Sequence, residues 1–287
     1  LESKAENAHP LAWEEIFMYF NQTHGREATG YVAGQKIAIK INLTNSCCVN
    51  IGNARMDASP QLVLSLLKQL IEVAQVPPSD IWIGDNYRLF RNEYWNKCHE
   101  VYPDVHYVDG TGLNGREKTI PSENQLLVFS DGKETSSIPM HYVDADYLIN
   151  MGCLKSHDKG GITICAKNHQ GSILQKDFRP EIQSAFYMHY ALPVPPDDIQ
   201  GTDKYRHLVD FMGHEHLGGK TLLYLVDGLW AGRNWEGNVE KWQMAPFLND
   251  YPSSLFLSLD AVAIESVCFD FLLTENASKP ASIKYPY

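Results

Sequence analysis

Apolar and polar positions alternate along this chain with two periods in turn. Residues 10–20, PLAWEEIFMYF, carry apolar side chains at helical spacing behind a proline suited to a first turn, which predicts a helix. Residues 36–43, KIAIKINL, alternate with period two and predict a strand. Ser59 and Pro60 then cap and open a strongly periodic helix reaching residue 74, which Pro77 and Pro78 stop. IWIG at 81–84 predicts a short strand, 91–100 a helix and 105–108 a strand. The resulting order, α-β-α-β-α-β, belongs to a mainly parallel sheet covered by helices.

The second half is less regular. Residues 110–140 are polar and broken by glycine and proline, with one strand candidate at 126–129. DADYLINM at 144–151 predicts a second-half strand, followed by a segment from Gly160 to Asn168 that opens on two glycines. Residues 176–203 are rich in proline and aspartate without a period and predict an irregular insertion. A helix at 204–212, strands at 220–227 and 254–258, and a helix from Asp260 to about residue 273 complete the pattern, leaving a loose tail at 275–287. The expected fold is α/β, with a mainly parallel or mixed sheet covered by helices on both faces. It forms a single domain, or two lobes meeting near 110–145.

Composition narrows the function. The 287 residues hold 24 Lys+Arg against 35 Asp+Glu, for a net charge of −11, and are 44% hydrophobic, values of a globular chain rather than a disordered one. The acidic balance, without a basic run, argues against nucleic acid, because duplex binding needs concentrated cations to displace counterions. No apolar run approaches the roughly 18 residues of a membrane span. The six cysteines form no CxxC pair or ferredoxin-type run, so no iron–sulfur cluster is expected, and adjacent Cys47 and Cys48 read as free thiols. No signal peptide is visible. The absence of an initiator Met and the aromatic content lean towards an exported bacterial protein of the periplasm or cell envelope.

The candidate chemistry concentrates in residues 150–171, NMGCLKSHDKGGITICAKNHQG. Ligands of open α/β sheets sit at the carboxyl ends of strands, where a strand at 144–151 would deliver Lys155 and His157. Gly160 and Gly161, leading into a helix with Thr163, would offer bare N–H groups to an anion, and Lys167 and Asn168 follow two turns on. A solvated loop of ordinary lysines fits the same spacing. Asp85, Asp227 and Asp260 each end an apolar strand, so parallel strands would line them along that same edge to orient lysines or bind a divalent cation. Asp260 also fits a helix N-cap. Lys40 and Asn42 share one face of their strand and need partners if buried. His207, His214 and His216 lack a zinc-site spacing and read as a surface turn. Trp230, Trp235 and Trp242 lie in a glycine- and asparagine-rich loop that would rim a pocket or serve as a contact face.

These segments together resemble the family called domain of unknown function 362. GQKIAIKINL is similar to the family's lysine-bearing opening strand. DADYLINMGCLKSHDKGGITICAKNHQG is similar to its most distinctive stretch, with Lys-x-His, Gly-x-Thr and Lys-Asn ending in Gly. LLYLVDGLW and SLDAVAIESV are similar to its closing Asp-Gly and Ser-Leu-Asp. The resemblance spans roughly residues 34–273. It implies an α/β fold and marks Lys40, Asn42, Lys155, His157, Lys167, Asn168, Asp227 and Asp260, without assigning a reaction. Some members of the family carry ferredoxin-type modules, which this chain lacks. Ala261 stands where the family usually has Pro, and Glu265 where Asp is usual.

The expectation from sequence is an enzyme or cofactor-binding protein acting on a small phosphate- or carboxylate-bearing molecule. Lys155 and Lys167 would hold the anion and His157 would be the general acid/base, since histidine titrates near neutrality. Lys40, Asn42, Asp85, Gly160, Gly161, Thr163, Asn168 and Trp230 would line the site. The alternatives are a divalent-metal enzyme using Asp227 and Asp260, and a non-enzymatic binding module using the Trp230–Trp242 loop.

Overall fold

The computed structural model describes residues 9–46, 56–130, 135–157, 160–175, 207–232, 234 and 239–277. Helix α1, His9–Thr23, precedes strand β1, Ile37–Ile41, and helix α2, Pro60–Lys68, which continues as one π turn, Gln69–Val73. Strand β2, Ile81–Asp85, helix α3, Asn92–His99, strand β3, His106–Asp109, and the short β4, Glu117–Lys118, follow. After β5, Pro121–Val128, β6, Thr135–Pro139, and α4, Met140–Asp144, the chain enters β7, Tyr147–His157. The remaining elements are β8, Gly161–Thr163, α5, Cys165–Asn168, β9, Leu174–Gln175, α6, His207–Gly213, β10, Thr221–Gly232, β11, Ser254–Ser258, and α7, Ala261–Ala277.

The main sheet has eight strands in the order β11-β10-β7-β1-β2-β3-β4, with β8 paired to β7. The strands from β10 to β4 run parallel, whereas β11 lies antiparallel to β10 and β8 antiparallel to β7. A second sheet of order β5-β6-β9 holds the polar stretch after Gly110, where period two reveals only part of one strand. Helices cover both faces of the main sheet. Ile37, Ile39 and Ile41 share a buried cluster with Phe17 of α1 and Val63, Leu66 and Leu67 of α2. The alternate positions, Ala38 of β1 and Leu148 of β7, share the other cluster with Tyr142 of α4 and Phe211 of α6. The α/β architecture with a mixed, mostly parallel sheet is therefore the one that the periodicity predicts.

Boundaries moved where strands run on into polar sequence. Residues 140–144 form a helix, and the strand predicted at 144–151 instead spans 147–157, buried along its whole length. β10 likewise extends past Asp227 to Gly232 through an irregularity in its pairing with β7. α7 continues to Ala277, four residues beyond the predicted end, because Glu275 is buried and accepts the Gln243 and Met244 N–H groups. The expected insertion at 176–203, the tail beyond 277, Cys47, Cys48 and Trp235 lie outside the described residues. No helix among the described residues is long and apolar enough to cross a membrane.

A buried polar network at the carboxyl edge of the sheet

Three parallel strands, β1, β2 and β7, deliver polar side chains to one edge. Lys40 lies beside Gly84 of β2 and Asn150 of β7, and Asp85 follows at the end of β2. The Lys40 ammonium donates to Asp85 Oδ2 at 2.8 Å, to Asn168 Oδ1 at 3.0 Å and to its neighbour Ile41 O at 2.6 Å. Burial pulls the Lys40 ammonium below its usual range, and the Asp85 carboxylate opposes that shift. Gly171 lies on this pair: a Cβ there would stand 2.9 Å from both Asp85 Oδ2 and Lys40 Cε. Glycine is required because the loop has to pass over the ion pair.

Asn168 is the hub. Its oxygen also accepts from Asn42 Nδ2 at 3.3 Å, while its amide nitrogen donates to Asn150 Oδ1 at 2.8 Å and to the carbonyls of Met151 and Lys40. The Asn42 oxygen in turn accepts from Lys155 Nζ at 2.9 Å. One hydrogen-bonded path thus joins Asp85, Lys40, Asn168, Asn42 and Lys155 across β2, β1, α5 and β7.

Lys155 differs from Lys40 in its counter-charge. Its side chain is 0% exposed, and its ammonium has two acceptors, Asn42 Oδ1 and Met56 O at 3.0 Å, both neutral. No carboxylate among the described residues makes an ion pair with it, whereas an uncompensated buried ammonium costs several kcal/mol by desolvation (roughly). Thr163 stands directly opposite Lys155 in the β7–β8 pairing, and its buried hydroxyl has no partner among the described residues. Gly232 lies beside Lys155 across the sheet, where a Cβ would come within 3.2 Å of the Lys155 stem.

Gly160 and Gly161 do not open a helix. Gly160 is a turn residue and Gly161 opens β8 at φ +74°, opposite His157, while the Gly160 N–H donates to His157 Nδ1 at 3.0 Å. That bond makes Nδ1 an acceptor, so the neutral imidazole carries its proton on Nε2. The following helix, α5, has only four residues. Its first N–H groups are taken: Ala166 N donates to Glu265 Oε1 at 2.7 Å, and Cys165 N also bonds this carboxylate. The expected anion cradle at the glycine pair is therefore replaced by a carboxylate from α7. Burial pushes Glu265 up to about 7, against the two N–H groups that hold it down. Lys167, nearly buried, donates to Gln170, whose amide bonds His207 at 3.1 Å. His207 is fully buried in this chain of contacts and is not part of a surface turn.

The three strand-end aspartates do not share an edge. Asp227 lies within β10, fully buried, and accepts the Ser59 N–H at 2.7 Å and the Leu229 N–H at 3.1 Å; burial raises its carboxyl above the usual range. Because β11 is antiparallel, Leu255 stands opposite Asp227 and Ser258 opposite Tyr224, so Asp260 falls at the edge where the parallel strands begin. There it caps exposed α7, accepting from Val262 N at 2.7 Å and Ala263 N at 3.0 Å. Asp227 and Asp260 are thus too far apart along β10 to share an ion. No group of three His, Cys, Asp or Glu among the described residues is placed to hold a metal. Trp230 is exposed and packs edge-on to Tyr251, while Trp242 is buried against Phe247 and Phe271.

Several polar residues of this edge escaped the sequence reading. Asp57 accepts from Asn45 N and Ser46 Oγ, each at 2.8 Å, folding the chain after β1 onto the segment before α2. Asp109 at the end of β3 accepts from Phe90, Thr111 and Gly112 N–H groups. Asn150 was visible only as a polar residue within an apolar strand, a signal equal to that which singled out Lys40.

The fold and site define an α/β protein with a lysine-centred polar network at the carboxyl edge of its sheet. The chain matches the family described as Domain of unknown function (DUF362) over residues 37–270 and belongs to it. A search of curated proteins finds no match.

Proposed function

We propose that this chain binds a small carboxylate- or phosphate-bearing molecule at the carboxyl edge of its sheet, with Lys155 as the counter-charge, and acts on it as an enzyme. One observation carries the reading: Lys155 is a fully buried ammonium whose acceptors among the described residues are neutral oxygens, next to the Thr163 hydroxyl, which has no partner among them. An arriving anion supplies the charge that the described surroundings lack, and Thr163 supplies a second donor. His157, two residues further along β7, is the general acid/base, protonated to the imidazolium when it acts as the acid. Lys167 adds a second cation on α5 and is oriented by Gln170. Lys40, compensated by Asp85, is a positioning residue that fixes Asn168 and through it Asn42.

Because Lys155 is fully covered, binding requires local opening around β7 and β8, so association is slower than diffusion allows. The test is thermal unfolding of the intact chain in inorganic phosphate and in small mono- and dicarboxylates. A ligand that binds the native state raises the midpoint in proportion to the logarithm of its concentration. The reading expects a rise in wild type that is lost in Lys155→Met. An equal rise in both proteins, or none in either, overturns it.

A further inference from the structure

The far edge of the main sheet is a second feature, independent of the polar network. β11 is the last strand among the described residues, and its outer side pairs with none of them. Its sequence, Ser254-Leu255-Phe256-Leu257-Ser258, has no charge and no proline. Phe256 turns inwards onto Phe271 of α7, with ring centroids 5.1 Å apart, which leaves Leu255 and Leu257 on the opposite face. Leu257 is 55% exposed, and Leu255 and Leu259 are exposed beside it. On the α7 side, Val262 is 74% exposed, and Val267 and Leu273 are exposed further along. Exposed strand edges of soluble proteins are ordinarily blunted by charge, proline or a bulge, and strand β11 has none of these.

We propose that β11 is a homodimer interface, pairing antiparallel with β11 of a second copy about a twofold axis at Phe256. The strand reads the same in both directions. Pairing centred on Phe256 therefore sets Leu255 against the partner subunit's Leu257, and Ser254 against the partner subunit's Ser258. A twofold contact needs this self-complementarity, because each residue meets its symmetry counterpart. Charge points to the same place. A net charge of −11 makes two copies repel over most of their surface, and the uncharged strand is where they can meet. The joined sheet would run continuously through both copies, with the two α7 helices on one face. Asp270 is exposed on α7, so added salt favours pairing by screening it.

Analytical ultracentrifugation of the intact chain tests this directly. Wild type is expected to sediment as a dimer, and Leu257→Lys to weaken dimerisation at least about tenfold by setting like charges across the axis. Circular dichroism should be unchanged, since the replaced side chain is already in solvent. Amide hydrogen exchange of wild type gives a measurement free of any variant. The outward-facing N–H groups of β11 are expected to be protected and to lose protection on dilution. Protection that does not depend on concentration would mean that another part of the chain covers the strand, and would overturn the proposal. A monomer at all concentrations, or a dimer indifferent to Leu257→Lys, overturns it as well.

Discussion

The ammonium of Lys155 lies 2.9 Å from the Asn42 amide oxygen, a contact that couples two lysines with opposite electrostatic circumstances. Lys40, reached through Asn42 and Asn168, has a carboxylate at 2.8 Å; among the described residues Lys155 has neutral acceptors alone. Methionine substitutions should separate them. Lys40→Met leaves Asp85 buried without its cation and is expected to cost about 3–5 kcal/mol in urea unfolding. Lys155→Met removes a buried charge that no described carboxylate pairs with, and is expected to leave the ligand-free chain as stable as wild type, or more stable by about 1–3 kcal/mol. Equal losses in the two variants would contradict this assignment of charge.

The Lys40–Asp85 pair carries its own check. Both residues are buried, so the double variant Lys40→Met/Asp85→Asn removes both charges together. It is expected to recover much of what Lys40→Met alone loses, because the orphaned carboxylate is gone. A double variant no more stable than the single one would show that the loss comes from packing.

Glu265 sets a pH dependence whose sign follows from its carboxyl being raised to about 7 from 4.5. Between those values the folded chain keeps a proton that the unfolded chain has released, so stability from this group is full below about pH 4.5 and is lost as pH rises through 7. Glu265→Gln keeps a neutral acceptor for Ala166 N and is expected to flatten that decline. The measurement is the urea midpoint at pH 5 and pH 8 in both proteins. An unchanged slope in the variant would assign the pH dependence elsewhere.

Asp260 separates capping from ligand binding. Asp260→Ala removes two hydrogen bonds at the start of α7 and is expected to cost about 1 kcal/mol. It should leave the response to phosphate and to divalent cations unchanged. A variant that lost a cation response shown by wild type would restore Asp260 to a metal site.

The parallel core was legible because its strands are short apolar runs between helical periods: β1, β2 and β3 fall within a residue or two of the expected segments. The polar cluster was legible as residue types, and Lys40, Asn42, Asp85, Lys155 and Asn168 do converge. Its geometry was not. The direction of β11 decides on which edge Asp260 falls, and strand direction leaves no mark on a five-residue apolar run. The Gly160-Gly161 pair suits a hairpin turn as well as a helix start, and the choice depends on β7 continuing to His157. The claim of α5's N–H groups by Glu265, almost a hundred positions away, is a tertiary contact with no local signal.

The most direct measurement is the ¹³Cε resonance of Lys155 in lysine-labelled protein, assigned by its disappearance in Lys155→Met, during titration with phosphate and with small dicarboxylates. An anion at this ammonium shifts that resonance saturably, with the same midpoint as the thermal stabilisation. A Lys155 resonance that stays in place while the protein binds either anion would contradict the account.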